Sequence, residues 1–524
     1  MEINITRQEK RIPFEKKWQF CVGSGQALLA LRHDYTEQLK YIHDELGIKR
    51  VRFHGILNDD MKIFTDLSDI LPFPGGERFH ERTFRQCGMA YDNVLAAGMK
   101  PFVELSFLPQ KLAEPAEGES FVKGASLMKP VSPEAWADYV CDFISYLMKR
   151  YGKEEVETWY FEVWNEPDLQ GAFFYGTQQD YFELYEATAR AIKELDPKLQ
   201  VGGPSTSASK WVAPFVKYCK EHDVPIDFVT THQYSGDPLI GVTDDGEKAE
   251  VMDVEQMMAG LGQALAALPD GSTPLDALRA TLAGPSQRPL DAQVFRTNAA
   301  IAKQEADGLP LYYTEWNTNA TFAAYDNDTR LTAAYDVVNA IATDGLVDGS
   351  SIWCFSDIFD EMHMFAESFH GGFGMLTIDG IPKPVFQGMK MLAMAGDMRL
   401  DLGADALNQE ICTAAFEKGD KLQILLVRQK MMQEDLPKEK VTVEVSCEKQ
   451  PESVTLYRID EEHVNPLKLW EEDGKPAELN AEEIRRYKEA AALQPEPMAY
   501  DYEDGMLKIE AELGVNDLYF IEVE

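Results

Sequence analysis

The chain lacks several features that would place it in other classes of protein. No run of about 18 apolar residues occurs, so no membrane-spanning helix is expected. Residues 1–20 are charged and contain no apolar h-region, so no signal peptide is expected. The seven cysteines, Cys21, Cys87, Cys141, Cys219, Cys354, Cys412 and Cys447, are scattered, odd in number and form no CxxC pair. That pattern argues against a zinc site and for a reduced, cytoplasmic protein with buried thiols. Positive charge is also scarce. Lys and Arg number 50 against 89 Asp and Glu, a net charge of −39. Nucleic acids and anionic membranes would repel such a surface, and its simplest role is solubility. No internal repeat and no low-complexity tract is present. No GxGxxG follows the first strand-like segment. Gly23-Ser24-Gly25 is too short for a dinucleotide site and is expected to shape a βα turn.

The 524 residues are 45% hydrophobic and 11% aromatic, which suits a large barrel plus a smaller domain. Strand-like runs, apolar on both faces, recur at Trp18–Val22, Arg50–His54, Pro101–Ser106, Trp159–Trp164, Gln200–Gly203, Phe228–Tyr234, Leu311–Trp316 and Ser351–Phe355. Such runs suit a parallel sheet covered on both sides. Helical patterns separate most of them. The clearest starts at Ser132-Pro133-Glu134, where a hydroxyl can cap the first turn and Pro133 has no N–H to leave unpaired. Eight strand–helix pairs predict an α/β fold, a (β/α)8 TIM barrel over residues 17–396; the count alone also allows a doubly wound sheet. An unusually long connection spans residues 235–289, with a helix-like stretch at Val254–Leu268. It can form a lid or subsite wall, or equally a peripheral insertion or an oligomer contact. After Gly396 the pattern becomes β-rich, at Leu422–Val427, Val441–Val445, Ser453–Tyr457, Met506–Ala511 and Asp517–Val523. A helix over Ala481–Leu493, capped by Asn480, interrupts it. Residues 397–524, joined by 1–16 through a strand at Glu2–Thr6, are therefore expected to form an antiparallel, β-sandwich-like domain.

Active sites of such barrels collect at the C-terminal ends of the strands. The fourth strand ends in Asn165-Glu166-Pro167, and the seventh carries Glu315 within Thr314-Glu315-Trp316-Asn317. Carboxyls opposed across a barrel can flank a glycosidic bond, one protonated and one ionised. Arg52, if near Glu315, would keep it ionised. Glu166, in an aromatic setting beside a second carboxylate, would hold its proton to higher pH. Asn165 can reach a sugar 2-hydroxyl, and Trp353 offers a flat face for a sugar ring. The pairs Arg52/His54 and His232/Tyr234 each share one side of a strand. Taken singly these signals are weak: Asn-Glu-Pro can be an ordinary turn, His232 and Trp353 core residues, and Arg52 a structural ion pair. Their joint placement at strand ends, in barrel order, is what points to glycosidase chemistry.

The chain resembles glycoside hydrolase family 39, over most of residues 17–390. The resemblance rests on Cys21-Val22-Gly23-Ser24-Gly25, Val51-Arg52-Phe53-His54-Gly55, Glu104-Leu105-Ser106-Phe107, the Phe161–Pro167 run, Thr231-His232, Thr314–Asn317, Phe355–Phe359, Phe369–Gly374 and Pro382–Phe386. It implies net retention through a covalent glycosyl-enzyme, with Glu166 as acid/base and Glu315 as nucleophile. It implies that His54, Asn165, His232, Tyr234 and Trp353 line the sugar subsite, and that Asp360 or Glu361 bonds sugar hydroxyls. It implies no metal and no organic cofactor. Tyr234 stands where a uronide-cleaving relative would need a basic group, which disfavours a uronide. The resulting expectation is a cytoplasmic, exo-acting retaining β-xylosidase on short xylooligosaccharides, with no nucleic-acid or membrane partner and with homo-oligomerisation open. The alternatives are another β-glycosidase, such as a glucosidase or galactosidase, and a catalytically silent sugar-binding barrel.

Overall fold

The computed structural model describes all residues except 7, 72–73, 116–123, 238–262, 264, 270–271, 283–289, 362–364, 366 and 433–435. Eight strands close into a barrel: β1 (Cys21–Gln26), β2 (Arg50–His54), β3 (Lys100–Leu105), β4 (Tyr160–Val163), β5 (Gln200–Thr206), β6 (Phe228–Tyr234), β7 (Leu311–Asn317) and β8 (Gly349–Ile352). Every neighbouring pair is parallel, and β8 returns to β1. Helices cover the outside, so the strands are buried on both faces and read as nearly unbroken apolar runs. The helix Pro133–Tyr151 starts as its sequence dictates. Ser132 Oγ accepts from the Ala135 N–H at 3.1 Å, and Trp136, Val140, Phe143, Ile144 and Leu147 form its buried stripe.

Two expectations about β1 are corrected. Trp18 lies in a 3-10 turn, Lys17–Gln19, and the strand begins at Cys21. Gly23-Ser24-Gly25 is strand rather than turn. A Cβ at Gly23 would overlap the Trp353 ring, so glycine here makes room for an active-site side chain rather than for a bend.

Beyond the barrel, a seven-stranded sheet contains Lys421–Arg428 and Leu518–Val523 at its centre, and a four-stranded sheet contains Glu439–Ser446 and Met506–Leu513. Leu422, Ile424 and Leu426 share an apolar cluster with Val441, Val443 and Ile509 of the second sheet. The alternate residues Leu425 and Val427 belong to the barrel's own cluster. The seven-stranded sheet is thus buried on both faces, one against each neighbour. Glu2–Thr6 joins the four-stranded sheet but pairs parallel with Glu439–Ser446, not antiparallel. No hairpin links the two segments, so no turn dictates their direction. The strand Ile411–Lys418 and the helix Pro466–Glu472 were not predicted. The former contains Ala414 and Ala415, weak strand formers held by pairing with Lys421–Arg428. The helix Ala481–Ala490 is capped by Asn480, which accepts from two backbone N–H groups. Within the long connection, a helix at Pro274–Leu282 is described. The helix expected over Val254–Leu268 lies mostly outside the described residues. Among the described residues no helix is long and apolar enough to cross a membrane.

Candidate active site

The barrel interior is layered. Phe102, Tyr160, Phe228 and Tyr312, from alternate positions of four strands, form an aromatic floor with Phe20; Phe20 and Tyr312 stack at 4.6 Å. Two residues further along each strand the side chains turn polar: Glu104, Glu162, Thr230 and Thr314. The period-two pleat puts them directly above the floor.

Arg52 is the hub of this layer and is fully buried. Its Nε donates to Glu162 Oε2 at 2.6 Å and its Nη1 to Glu315 Oε1 at 2.8 Å. Its Nη2 lies 2.7 Å from Glu104 Oε2 and donates to Asn165 Oδ1 at 2.8 Å and Ser205 Oγ at 3.2 Å. Such a dry charge network is costly to desolvate and tolerable only because its donors and acceptors are matched. His54 extends it. Its Nδ1 bonds Glu104 Oε2 at 2.7 Å, while Nε2 lies 3.6 Å from Glu315 Oε1 and 3.5 Å from Glu361 Oε1. Burial alone would lower the His54 imidazole. The surrounding carboxylates, Glu104 and Glu361 foremost, outweigh it and lift it to about 9, so the ring is cationic at neutral pH.

Glu315 reaches the same interior because β7 carries an extra residue. Thr231 pairs with Tyr313, but His232 pairs with Glu315. This bulge lets both Thr314 and Glu315 face inward, while Tyr313 and Trp316 pack outward on Phe295. The Tyr234 hydroxyl donates to Glu315 Oε2 at 2.8 Å. Burial pushes the Glu315 carboxyl up, but the Arg52 guanidinium, the His54 imidazolium and the Tyr234 hydroxyl together hold it below the usual carboxylate range.

Glu166 is in the opposite state. Trp164 and Glu166 both have positive φ, 71° and 44°, a strain of roughly 1–3 kcal/mol each at non-glycine positions. The Glu166 N–H donating to Ser205 O at 2.8 Å pins that turn. Burial pushes its carboxyl well above the usual range, and Glu315, Asp168 and Asp237 add to the shift. The hydrogen bonds offer its proton a partner. Thr314 Oγ1 donates to Glu162 at 2.7 Å, so it can only accept from His232 Nε2, 3.1 Å away. Burial lowers the His232 imidazole, and Arg52 does the same. A neutral ring protonated on Nε2 leaves Nδ1 as an acceptor. That nitrogen lies 2.9 Å from Glu166 Oε1, so a proton carried by the carboxyl has an acceptor in place. One ligand oxygen of Glu166, His232 Nδ1 or Nε2 and one oxygen of Glu315 lie within 4.8 Å of each other.

The opening is walled by Trp353, whose ring lies 4.7 Å from His54 and meets Phe359 edge-on at 6.0 Å. Tyr234, Phe322, Phe365 and Phe373 complete this apolar cluster, together with Leu275 from the helix in the long connection. Of the two acidic positions after β8, Glu361 faces His54, and its Oε1 has no hydrogen-bond partner among the described residues. Burial raises its carboxyl to about 7 despite the opposing His54. Asp360 lies instead close enough to Arg32 and Asp60 to influence both. Glu104, Glu162, Ser205, Thr314, Asp168 and Asp237 were given no individual role in the sequence reading. The signal for the first two was a charge in the middle of an apolar strand. His54, Glu104 and Glu315 also bring three ligand atoms within 4.8 Å, but the Arg52 guanidinium already lies against both carboxylates there.

The profile of Glycosyl hydrolases family 39 matches residues 1–275 and 283–503. A β-xylosidase of Caldicellulosiruptor saccharolyticus is 34% identical over 502 residues, 95% of this chain and 93% of that one. A β-xylosidase of Geobacillus stearothermophilus is 32% identical over 528 residues, 98% and 94% of the two chains. Among solved structures, a family 39 β-xylosidase from Caulobacter crescentus superposes with a TM-score of 0.75 at 27% identity, over 100% of both chains. The chain therefore belongs to Glycosyl hydrolases family 39.

Proposed function

We propose that the protein is an exo-acting retaining β-xylosidase that releases xylose from short xylooligosaccharides. The observation that carries retention is the separation of Glu166 and Glu315. An approach within 4.8 Å suits nucleophilic attack, whereas an inverting pair stands roughly 6.5–9.5 Å apart to admit a water. The xylose preference rests on the two full-length β-xylosidase relatives.

Ionised Glu315 attacks the anomeric carbon from one face while Glu166 gives its proton to the departing glycosidic oxygen. The product is a glycosyl ester on Glu315. Glu166, now a carboxylate, takes a proton from water, the hydroxyl adds to the anomeric carbon and Glu315 leaves. Two inversions restore the β configuration. Arg52 holds Glu315 in place and ionised. Asn165 has its oxygen turned to Arg52 and so offers its amide N–H groups to the 2-hydroxyl. Trp353 stacks on the sugar, Glu361 takes a hydroxyl, and Tyr234 supplies a neutral hydroxyl where a uronide would require a cation. The barrel over residues 17–396 carries this chemistry, and residues 1–16 with 397–524 form a supporting β-domain. The net charge of −39 and six buried cysteines suit a cytoplasmic location.

Proton NMR of the first product formed from p-nitrophenyl β-D-xyloside, beside a panel of other p-nitrophenyl glycosides, tests the proposal. β-Xylose should appear before mutarotation. Early α-xylose would overturn retention, and a higher kcat/KM on a hexoside would overturn the sugar assignment.

A further inference from the structure

Lys383 precedes the helix Pro384–Met394 and is fully buried. Its Nζ lies 2.6 Å from Asp328 Oδ1 and 2.7 Å from Asp357 Oδ2 and donates to Gly372 O at 2.9 Å. Each carboxylate turns its other oxygen to the same glycine segment. Asp328 Oδ2 accepts from the Gly371 N–H at 2.7 Å, and Asp357 Oδ1 from the Gly374 N–H at 2.7 Å. Asn327 Nδ2 adds a bond to Gly371 O at 2.8 Å. One ammonium therefore ties together the connection after β7, the connection after β8 and the returning limb of the latter. The fit requires glycine. Gly371 has φ of 79°, and a Cβ at Gly372 would overlap Asp357 Oδ1.

A buried ion triad is weak as a stabiliser, since well-packed apolar residues do as well or better. Its position suggests a different use. Residues 354–357 and 373–376 run side by side, with Met375 N–H donating to Cys354 O and Leu376 N–H to Phe355 O, both at 3.0 Å. The clamp sits at their junction, at the foot of an excursion whose described residues are 358–361, 365 and 367–372. That excursion carries Phe359 and Phe365 into the aromatic wall and Glu361 to within 3.5 Å of His54 Nε2. Glu361 Oε1 is buried with no hydrogen-bond partner among the described residues. Leaving a buried acceptor unpaired costs about 1–3 kcal/mol, which a ligand hydroxyl would recover. Glu361's carboxyl meets His54 at 3.5 Å, and the clamp lies at the foot of the segment that carries it there.

We propose that Lys383, acting through Asp328 and Asp357, is a positioning residue that sets the direction of residues 358–361 as they leave this junction and thereby presents Glu361 to a hydroxyl of the bound sugar. The inference rests on the glycosidase reading above and adds the device that places one binding group.

The test is a double-mutant cycle of Lys383→Met with Glu361→Gln, read as kcat/KM on p-nitrophenyl β-D-xyloside and as the inhibition constant of D-xylose. Each single substitution should lower kcat/KM by roughly tenfold or more and weaken xylose to a similar degree. The double variant should lose no more than the worse single, because both act through one carboxylate. If Lys383→Met fails to fold, Asp357→Asn serves in its place. It keeps an oxygen for the Gly374 N–H and leaves Lys383 and Asp328 as a balanced pair. It should give a smaller loss in the same direction, again non-additive with Glu361→Gln. Losses that multiply, or unchanged xylose inhibition in the folded variant, would overturn the proposal. A wild-type enzyme preferring another glycoside would overturn the xyloside reading alone, and the cycle would then be run on that glycoside and its sugar.

Discussion

If Glu166 is protonated partly because Glu315 is charged, neutralising Glu315 should release the Glu166 proton. The magnitude follows from the geometry. Two carboxylates with oxygens within 4.8 Å of each other repel by about 3 kcal/mol or more at an effective dielectric constant of about 20. That is roughly a hundredfold in proton affinity. Forming the glycosyl ester removes the Glu315 charge, so Glu166 should change from acid to base as the reaction passes its midpoint. A 2-deoxy-2-fluoroxyloside with a good leaving group traps that ester. Carbon-13 NMR of enzyme labelled at the glutamate carboxyls, with Glu166 assigned by comparison with Glu166→Gln, then gives its titration midpoint in both states. The midpoint should fall on trapping. Glu315→Gln should move it the same way without a sugar, which separates lost charge from added burial, since burial acts in the opposite direction. A midpoint that stays put or rises in Glu315→Gln would refute the electrostatic reasoning. It would leave burial and His232 as what holds the proton.

Other perturbations test other parts of the site. Tyr234→Phe removes a bond to a charged oxygen worth about 1.5–3 kcal/mol, so kcat/KM should fall on the order of tenfold or more. The hydroxyl helps hold Glu315 ionised, so the acidic limb of the pH profile should move to higher pH in the variant. Gly23→Ala drives a Cβ into the Trp353 ring; KM for the xyloside should rise while thermal stability falls only modestly, as kinetics beside a melting curve would show. Asn480→Ala removes the cap of Ala481–Ala490, a helix that carries none of the site residues. Denaturant unfolding should report a loss of about 1 kcal/mol with unchanged kcat.

The barrel was legible because parallel strands buried on both faces leave apolar runs that can be counted. The carboxyls at the ends of β4 and β7 were legible because position along a barrel strand carries meaning. The support beneath them was not. Glu104 and Glu162 stand in the same kind of apolar run as their neighbours, and only the pairing of Glu162 with Arg52, 110 residues away, shows what they do. Period-two reasoning cannot place Thr314 and Glu315 on one side of a strand; the bulge that does so is set by pairing with β6. Gly23 illustrates the converse error. Its local signal, a glycine near a glycine, favours a turn, while its cause is the indole of Trp353, distant in sequence.

The charges at the barrel mouth fit together in one further respect. Arg52 is committed to Glu104, Glu162 and Glu315, and His54 lies among Glu104, Glu315 and Glu361. Both cations are therefore engaged by carboxylates that outnumber them. Among the described residues, a substrate carboxylate entering here would meet Glu315 and Glu361 beside cations that are already engaged, in a dry site where like charges are not screened. An uncharged sugar meets the opposite situation. Its hydroxyls can donate to the acceptors that remain, Glu361 Oε1 among them, without adding charge. On the proposed function, the arrangement that keeps one carboxyl ionised and its partner protonated also favours a neutral glycoside. Acid–base poise and discrimination against uronides would then arise from the same excess of buried carboxyls, not from separate devices.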